Sequence, residues 1–262
     1  MSLTYDIAEG MTFYAGRQPR TPRKHLRVVT RGPGAIVPEK QESWDLCDVF
    51  YHPDEVKAVL DGRIVSDAEY VVLDRDRSLR KLGLIKKLFT ASDFWDRYET
   101  VMLADDDMEP VGCTVETMFD LFDKTGARIA QPALTADSSS ISHAITRQET
   151  DCRWRETNFV EMGIPIFTRA ALLEYLPVFD ATVSGWGVDL YWSMKEVDAG
   201  RHLAILDETS VRHGRAIGAG GYYEGLKVEP GQEMREFLEQ QGLWARMADG
   251  FRQEVFAKWT RH

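Results

Sequence analysis

The sequence predicts an α/β fold with a mostly parallel central sheet flanked by helices. Its 262 residues suit one large domain, and the content of 44% hydrophobic and 28% charged residues is that of a globular protein. Short apolar runs alternate with amphipathic stretches over the N-terminal two thirds, which is typical of βαβ units. We therefore expect a single domain over residues 1–262.

Each predicted element rests on a local pattern. Amphipathic spacing with Pro or Gly at the boundaries predicts five helices, at 53–62, 79–88, about 114–123, 169–176 and 190–197. Apolar runs predict seven strands, at 26–30, 46–51, 70–73, 100–104, 128–131, 158–167 and 202–206. The tail at 231–259 is predicted to be helical and docked on the core through an apolar stripe of Met247, Phe251, Val255 and Trp259.

The charge balance narrows the range of partners. With 32 Lys and Arg against 42 Asp and Glu, the net charge is 32 − 42 = −10, which argues against nucleic acid and anionic lipid as partners. No run approaches the roughly 20 apolar residues of a transmembrane helix, and the first 16 residues do not resemble a signal peptide. The three scattered cysteines form no disulfide framework, so we expect a cytoplasmic location.

The sharpest candidate site is a run of three aspartates after the apolar segment 101–104. Asp105, Asp106 and Asp107 repel one another unless a cation or hydrogen-bond donors compensate their charge. At the carboxyl end of a strand in an open α/β sheet, they lie where ligands bind. Hard oxygen ligands select Mg²⁺ or Mn²⁺, although a solvated acidic loop is the simpler alternative.

A turn with two glycines is the second candidate. Gly185 and Gly187 flank Trp186 and permit a backbone path that other residues would block, which leaves the indole as a flat face for a sugar or base. Asp189 then opens a helix, as a general base or as an N-cap. Further along, His213 follows a strand and is either a metal ligand, a general base or a structural histidine.

The order of these blocks resembles the GT-A class of nucleotide-sugar glycosyltransferases, and most closely an uncharacterised domain-of-unknown-function family grouped with that class. The resemblance covers about residues 24–225, which would form a GT-A-like core, and leaves a helical extension at about 231–262 outside it. The blocks that carry it are 104–107, 129–134, 158–162 with 165–167, 185–189 and 211–213.

The resemblance implies a metal-dependent enzyme that moves a sugar from a nucleotide-diphosphate sugar to an acceptor, which could be a glycan, a lipid-linked sugar or a small molecule. It implies Mn²⁺ or Mg²⁺ held by Asp105, Asp107 and His213, and Asp189 as the general base with Glu161 as the next candidate. The residues implied in substrate binding are Asp105, Asp106, Gly185, Trp186, Gly187, Arg77 and Lys81. For Arg77 and Lys81, a solvated basic helix face is an equally good interpretation.

Two other functions remain open from the sequence. Asp74 and Asp76 follow an apolar run in the manner of haloacid-dehalogenase-like phosphatases, in which Asp74 would be the nucleophile. That class offers no role for the turn at 185–189. Alternatively, the protein keeps the fold and only binds a ligand.

The polar segment at 136–156 is long for a connection inside a compact domain. It is either a flexible flap that orders when the donor binds or a structured surface excursion, and we test the flap. Its Arg147, Arg153 and Arg155 would then meet phosphate or acceptor anions.

Overall fold

The computed structural model describes residues 3–15, 23–36, 42–76, 79–216, 218–219 and 226–261, and these form one sheet flanked by helices. The strands are β1 Leu3–Ala8, β2 Met11–Ala15, β3 His25–Arg31, β4 Trp44–Phe50, β5 Tyr70–Asp74, β6 Thr100–Asp105, β7 Met108–Val111, β8 Ile129–Leu134, β9 Cys152–Thr157, β10 Ile166–Thr168, β11 Leu203–His213 and β12 Val255–Thr260. The helices are α1 Pro53–Leu60, α2 Lys81–Ala91, α3 Val115–Thr125, α4 Arg169–Tyr175, α5 Val188–Asp198, α6 Pro230–Gln240 and α7 Trp244–Ala248.

The sheet is mixed, with a parallel group of four strands, a parallel pair of two strands and the antiparallel strand β10 between them. Its order is β1-β2-β5-β4-β3-β6-β10-β8-β11-β9-β12, and β7 pairs with β11 off this path. Strands β5, β4, β3 and β6 run parallel, as do β8 and β11. The carboxyl ends of β3, β4 and β6 therefore meet at one edge, where ligands bind in open α/β sheets. This confirms the predicted α/β class.

Helices cover both faces of the sheet because its central strands are apolar on both sides. All seven residues of β3 are buried, and Val28 and its neighbour Val29 point into different apolar layers. One layer contains Leu88 of α2 and Trp192 of α5, and the other contains Phe119 of α3. The predicted positions of the first five helices and of the central strands are confirmed.

Three predicted segments are corrected by the structure. Within 136–156, residues from Cys152 onward form β9, which pairs with both β11 and β12. Within 158–167, the strand is limited to β10, because the earlier apolar residues pack on α5, where Trp192 Nε1 donates to the Val160 carbonyl. The tail is helical only through Ala248 and ends in strand β12.

The predicted helical stripe fails for a geometric reason. Spacing of four fits a helix, but Val255, Ala257 and Trp259 also alternate as in a strand. In β12, Trp259 lies opposite Trp154 of β9, and their rings stack with centroids 5.2 Å apart. The hairpin β1–β2 and strand β7 are further elements that the sequence did not predict. In the described ranges, no helix is both long and apolar enough to cross a bilayer.

Candidate active site

The three aspartates form the turn between β6 and β7. Asp105 ends β6 with a side chain that is 35% exposed, whereas Asp106 and Asp107 are buried. The backbone N–H of Asp105 donates to the Gly163 carbonyl at 2.9 Å, which fixes where the acidic turn leaves the sheet. The turn therefore lies at the carboxyl edge of the parallel strands, as the sequence predicted.

Cationic side chains compensate the three carboxylates. Lys81 Nζ lies 2.9 Å from Asp105 Oδ1, and Arg215 pairs with Asp106 and, through Nε at 3.2 Å, with Asp107. The backbone N–H of Gly32 donates to Asp106 Oδ2 at 2.6 Å. Buried carboxylates need such partners, so this arrangement explains how the chain tolerates them.

Strand pairing brings His213 to the acidic turn. In the antiparallel pair of β7 and β11, His213 lies opposite Met108, and its Nε2 is 3.3 Å from Asp107 Oδ2. Burial disfavours the charge on both groups, but each stabilises the charged form of the other. The pKa of His213 is raised and that of Asp107 is lowered, with Arg215 also acting on Asp107. Both shifts favour the ion-paired form of Asp107 and His213.

The donor chemistry of this group suits a divalent cation. Carboxylate oxygens fit Mg²⁺ or Mn²⁺, and the neutral imidazole of histidine is a common metal ligand. Asp107 and His213 are already in contact, whereas Asp105 is turned to Lys81. Within the described residues, the group of three metal-binding side chains whose donor atoms all lie within 4.8 Å is instead Glu149, Asp151 and Cys152.

The turn at 185–187 needs its glycines for two reasons. Gly185 and Gly187 have φ of 82° and 87°, in the region that side chains disfavour. A Cβ on Gly187 would lie 2.8 Å from Met234 Cγ, and one on Gly185 would lie 3.0 Å from Met162 Sδ. Trp186 between them remains partly exposed. The turn is thus closely packed on both sides of a half-open indole.

Asp189 lies in the first turn of α5, whose N-cap is Gly187, so it is not the capping residue. Burial raises the pKa of Asp189 to about 6. Hydrogen bonds from the backbone N–H groups of Leu190, Asp189 and Met162 lower this pKa but do not cancel the effect of burial. Burial and the nearby charge of Asp189 raise the pKa of Glu161 to about 7. Two carboxyl groups with raised pKa values in one place are typical of acid–base sites.

One cavity of about 1210 Å³ brings these groups together. Of the residues implied by the sequence, those that line it are Lys81, Asp105, Asp106, Asp107, Glu161, Trp186, Gly187, Asp189 and His213. Gly185 lies outside the lining and supports the turn, and Arg77 lies outside the described residues. The carboxyl ends of β3 and β4 contribute Thr30, Tyr51 and His52 to the same cavity.

The architecture matches solved structures of glycosyltransferases. GalNAc-T7, in a crystal structure with UDP, GalNAc and Mn²⁺, aligns over 86% of this chain with a TM-score of 0.56 and 11% identity. Residues 1–349 of TarS from S. aureus align over 86% of this chain and 73% of TarS, with a TM-score of 0.50 and 12% identity. The fold is that of the GT-A glycosyltransferases.

This GT-A likeness is one of fold alone. This chain spans 50% of the GalNAc-T7 chain, so the two proteins share a domain and not their whole length. No family model matches the sequence, and no curated protein sequence matches it. The fold likeness therefore does not establish a reaction, which depends on the side chains that line the cavity.

The GT-A arrangement leaves Asp74 away from the candidate site. Asp74 ends β5 with only 1% of its surface exposed, its carboxylate lies 3.5 Å from Lys87 Nζ, and it is not part of the cavity lining. A phosphatase nucleophile must reach its substrate. The position of Asp74 therefore disfavours the haloacid-dehalogenase-like interpretation.

Lys81 and Arg155 of the segment 136–156 have protein partners. Besides Asp105, the Lys81 ammonium donates to the carbonyls of Met162 and Gly163, which uses its three protons. Arg155 is buried against Asp207 and is unavailable to anions, which corrects the expected role for it in a flap. Ser140, Ser142 and His143 of this segment do line the cavity.

Sequence reasoning missed two sets of site residues. Arg215 joins Asp106 and Asp107, and the only signal for it was its place two residues after His213. Met234, Met247 and Phe251 reach the cavity from the tail, which the GT-A resemblance does not cover. Both sets depend on contacts between segments far apart in the chain.

Proposed function

We propose that this protein is a metal-dependent glycosyltransferase that moves a sugar from a nucleotide-diphosphate sugar to an acceptor hydroxyl. The observation that carries the proposal is the shared cavity, which joins the acidic turn and His213 with two carboxyl groups of raised pKa, Glu161 and Asp189. The GT-A fold supports it. A cytoplasmic location remains part of the proposal, in keeping with three free cysteines.

The acidic turn would bind the diphosphate end of the donor through a cation. Asp107 and His213 would hold Mn²⁺ or Mg²⁺, with Asp105 as a further ligand and Asp106 fixing the turn through Gly32. When bound, the ion would neutralise charge on the departing diphosphate. The solved GalNAc-T7 structure with UDP, GalNAc and Mn²⁺ supports this choice of partners.

On the other side of the transferred sugar, Asp189 would act on the acceptor. The acceptor oxygen would bond to the anomeric carbon as the bond from that carbon to the diphosphate breaks. The acceptor proton would pass to the Asp189 carboxylate, which is ionised at neutral pH because its pKa is about 6. Trp186 would offer its ring face to the sugar, held by Gly185 and Gly187.

Thermal unfolding with UDP and Mn²⁺ tests the donor site. We expect the two together to raise the Tm of the wild-type chain, and Mn²⁺ or UDP alone to raise it less. Asp107→Asn should abolish most of this shift. Asp120→Asn, at an exposed position of α3, is the matched control and should respond like the wild type.

Turnover assays, together with the Tm shifts, separate the transferase from the two alternative functions. Stabilisation by UDP and Mn²⁺, without turnover of any nucleotide sugar, would leave a binding protein of the GT-A fold. Hydrolysis of p-nitrophenyl phosphate that Asp74→Asn blocks would establish the phosphatase and overturn the transferase. We expect no such hydrolysis, because Asp74 is 1% exposed.

A further inference from the structure

The cavity has an apolar wall that the donor chemistry does not explain. Met234, Met247 and Phe251 line it, and each is partly buried against the main apolar core. They come from the tail after residue 226, outside the range of about 24–225 over which the sequence resembles GT-A enzymes. The acidic turn with His213 forms the polar part of the same cavity.

Helix α6, which carries Met234, is attached to the turn at 185–187, called the Trp186 turn below. Glu233 of α6 accepts hydrogen bonds from the backbone N–H groups of Val183 and Ser184 at 2.6 and 2.9 Å. The next residue, Met234, packs so closely on Gly187 that a Cβ there would lie 2.8 Å from its Cγ. Met234 therefore lies directly beside the turn that leads into Asp189, and Met247 and Phe251 line the same cavity.

The chemistry of the wall restricts what it can hold. Sugar hydroxyls, phosphates and nucleobases lose their hydrogen bonds to water on binding and need polar partners in return. The thioethers of Met234 and Met247 offer almost none and the Phe251 ring offers only its face, but all three gain free energy when they bury an apolar group. Methionine side chains also adapt to irregular apolar shapes.

The size of the cavity leaves room for a second ligand. Its volume of about 1210 Å³ exceeds the roughly 300–1,000 Å³ of pockets that enclose one drug-sized molecule. A nucleotide sugar held at the acidic turn would fill the polar part. The apolar side chains line the same cavity, and Met234 packs on Gly187, two residues before Asp189, on whose side the acceptor hydroxyl would have to be.

We infer that the wall formed by Met234, Met247 and Phe251 is an acceptor subsite for an apolar aryl or alkyl group. The acceptor is then an amphipathic molecule that presents a hydroxyl to Asp189 and its apolar group to the tail. The assignment of this group to the acceptor rests on the proposed function. The apolar subsite itself rests only on the side chains that form it.

Binding of 2-naphthol, a hydroxylated aromatic fluorophore, tests the subsite with glucose as the polar comparison. We expect 2-naphthol to bind the wild-type chain and glucose to bind far more weakly. Met247→Gln keeps the length of the side chain but removes its apolar character, and should weaken 2-naphthol binding by about tenfold. Met234→Gln is the second variant, in case the first fails to fold.

The control is Leu173→Gln on α4, at a side chain that is 52% exposed and lies outside the cavity. It should leave 2-naphthol binding unchanged. Absence of 2-naphthol binding, equal binding of glucose, or an equal loss in Leu173→Gln would overturn the subsite. The UDP and Mn²⁺ titration reports on the other wall, so failure of the proposed function would appear there and leave the 2-naphthol result in place.

Discussion

At the scale of single residues, Asp189 separates binding from chemistry. It lies in the first turn of α5, three residues after Trp186, whereas the acidic turn carries the groups proposed to hold the donor. Asp189→Asn preserves the shape but removes the proton acceptor. We expect turnover to fall about 10²–10⁴-fold, with little change in the affinity for UDP and Mn²⁺. Steady-state kinetics with a donor titration measure both.

The pH dependence of turnover gives the same residue a second test. Burial raises the pKa of Asp189 to about 6, and a general base works only when deprotonated. The rate should therefore fall as pH falls through about 6 and level off above it. The residual rate of Asp189→Asn should lack this limb. If Glu161→Gln removes the limb and Asp189→Asn keeps it, Glu161 is the base.

The left-handed conformation and close packing of Gly187 predict how much a side chain at this position lowers the free energy of unfolding. Gly200 shares its left-handed conformation, with φ of 69°, but a Cβ there meets no atom within 4 Å. Gly200→Ala should cost about 1–2 kcal/mol of unfolding free energy for the conformation alone. Gly187→Ala adds the clash with Met234 and should cost about 1–3 kcal/mol more. Urea unfolding of both variants measures the difference, and equal losses would contradict the close packing.

Most proposed site residues were predictable from the sequence because their chemistry is local. Asp105, Asp107 and Trp186 stand in short motifs whose residue types and neighbours already indicate a ligand. Arg215 was not predictable, because an arginine acquires its role from carboxylates more than 100 positions away, as the contact with Asp107 shows. The raised pKa of Glu161 likewise arises from burial and from charges of other segments.

At the scale of elements, the pairing of β9 with β11 contains a buried ion pair. Arg155 Nε lies 2.9 Å from Asp207 Oδ2, and both side chains are almost fully buried. Arg155→Met would leave the Asp207 carboxylate without its cation inside the protein. We expect a loss of about 3–5 kcal/mol in the free energy of unfolding, measured in urea.

The same two strands offer a matched control on the surface. Arg153 Nε lies 2.9 Å from Glu208 Oε2, but both side chains are about 40% exposed. Arg153→Met should cost less than about 1 kcal/mol, because water and ions already solvate this pair. Similar losses in Arg153→Met and Arg155→Met would mean that Arg155 is not buried as the strand pairing requires, and would return the segment to the role of a flap.

Elements were predictable where one pattern fits one structure. The buried runs of β3 and β6 and the amphipathic pattern of α3 admit a single interpretation, and the structure confirms them. The residues of β12 fit both periods, and only the partner strand β9 decides between them. Edge strands such as β1 and β12 therefore depend on tertiary pairing, which a local pattern does not contain.

At the scale of the whole molecule, the tail completes a cavity that the GT-A-like core begins. Strand β12 fastens the end of the tail to β9, and helix α6 fastens its beginning to the Trp186 turn. Between these two attachments, Met247 and Phe251 line the cavity. We therefore expect a substitution in α6 that breaks its contacts with the Trp186 turn to change the stability of that turn.

Glu233 is the residue through which this coupling can be tested. Its carboxylate accepts the backbone N–H groups of Val183 and Ser184, just before the Trp186 turn. Glu233→Ala removes both acceptors, and the loss of hydrogen bonds to a charged group should cost about 1.5–3 kcal/mol. Because the turn is held from α6, amide hydrogen exchange at 183–187 should accelerate well beyond any global change.

Glu236→Ala on the same helix is the control, because it removes an exposed contact with Gln232, and it should leave exchange at the turn unchanged. Equal exchange in both variants would mean that the core alone shapes the turn, and that the tail covers the site without positioning it.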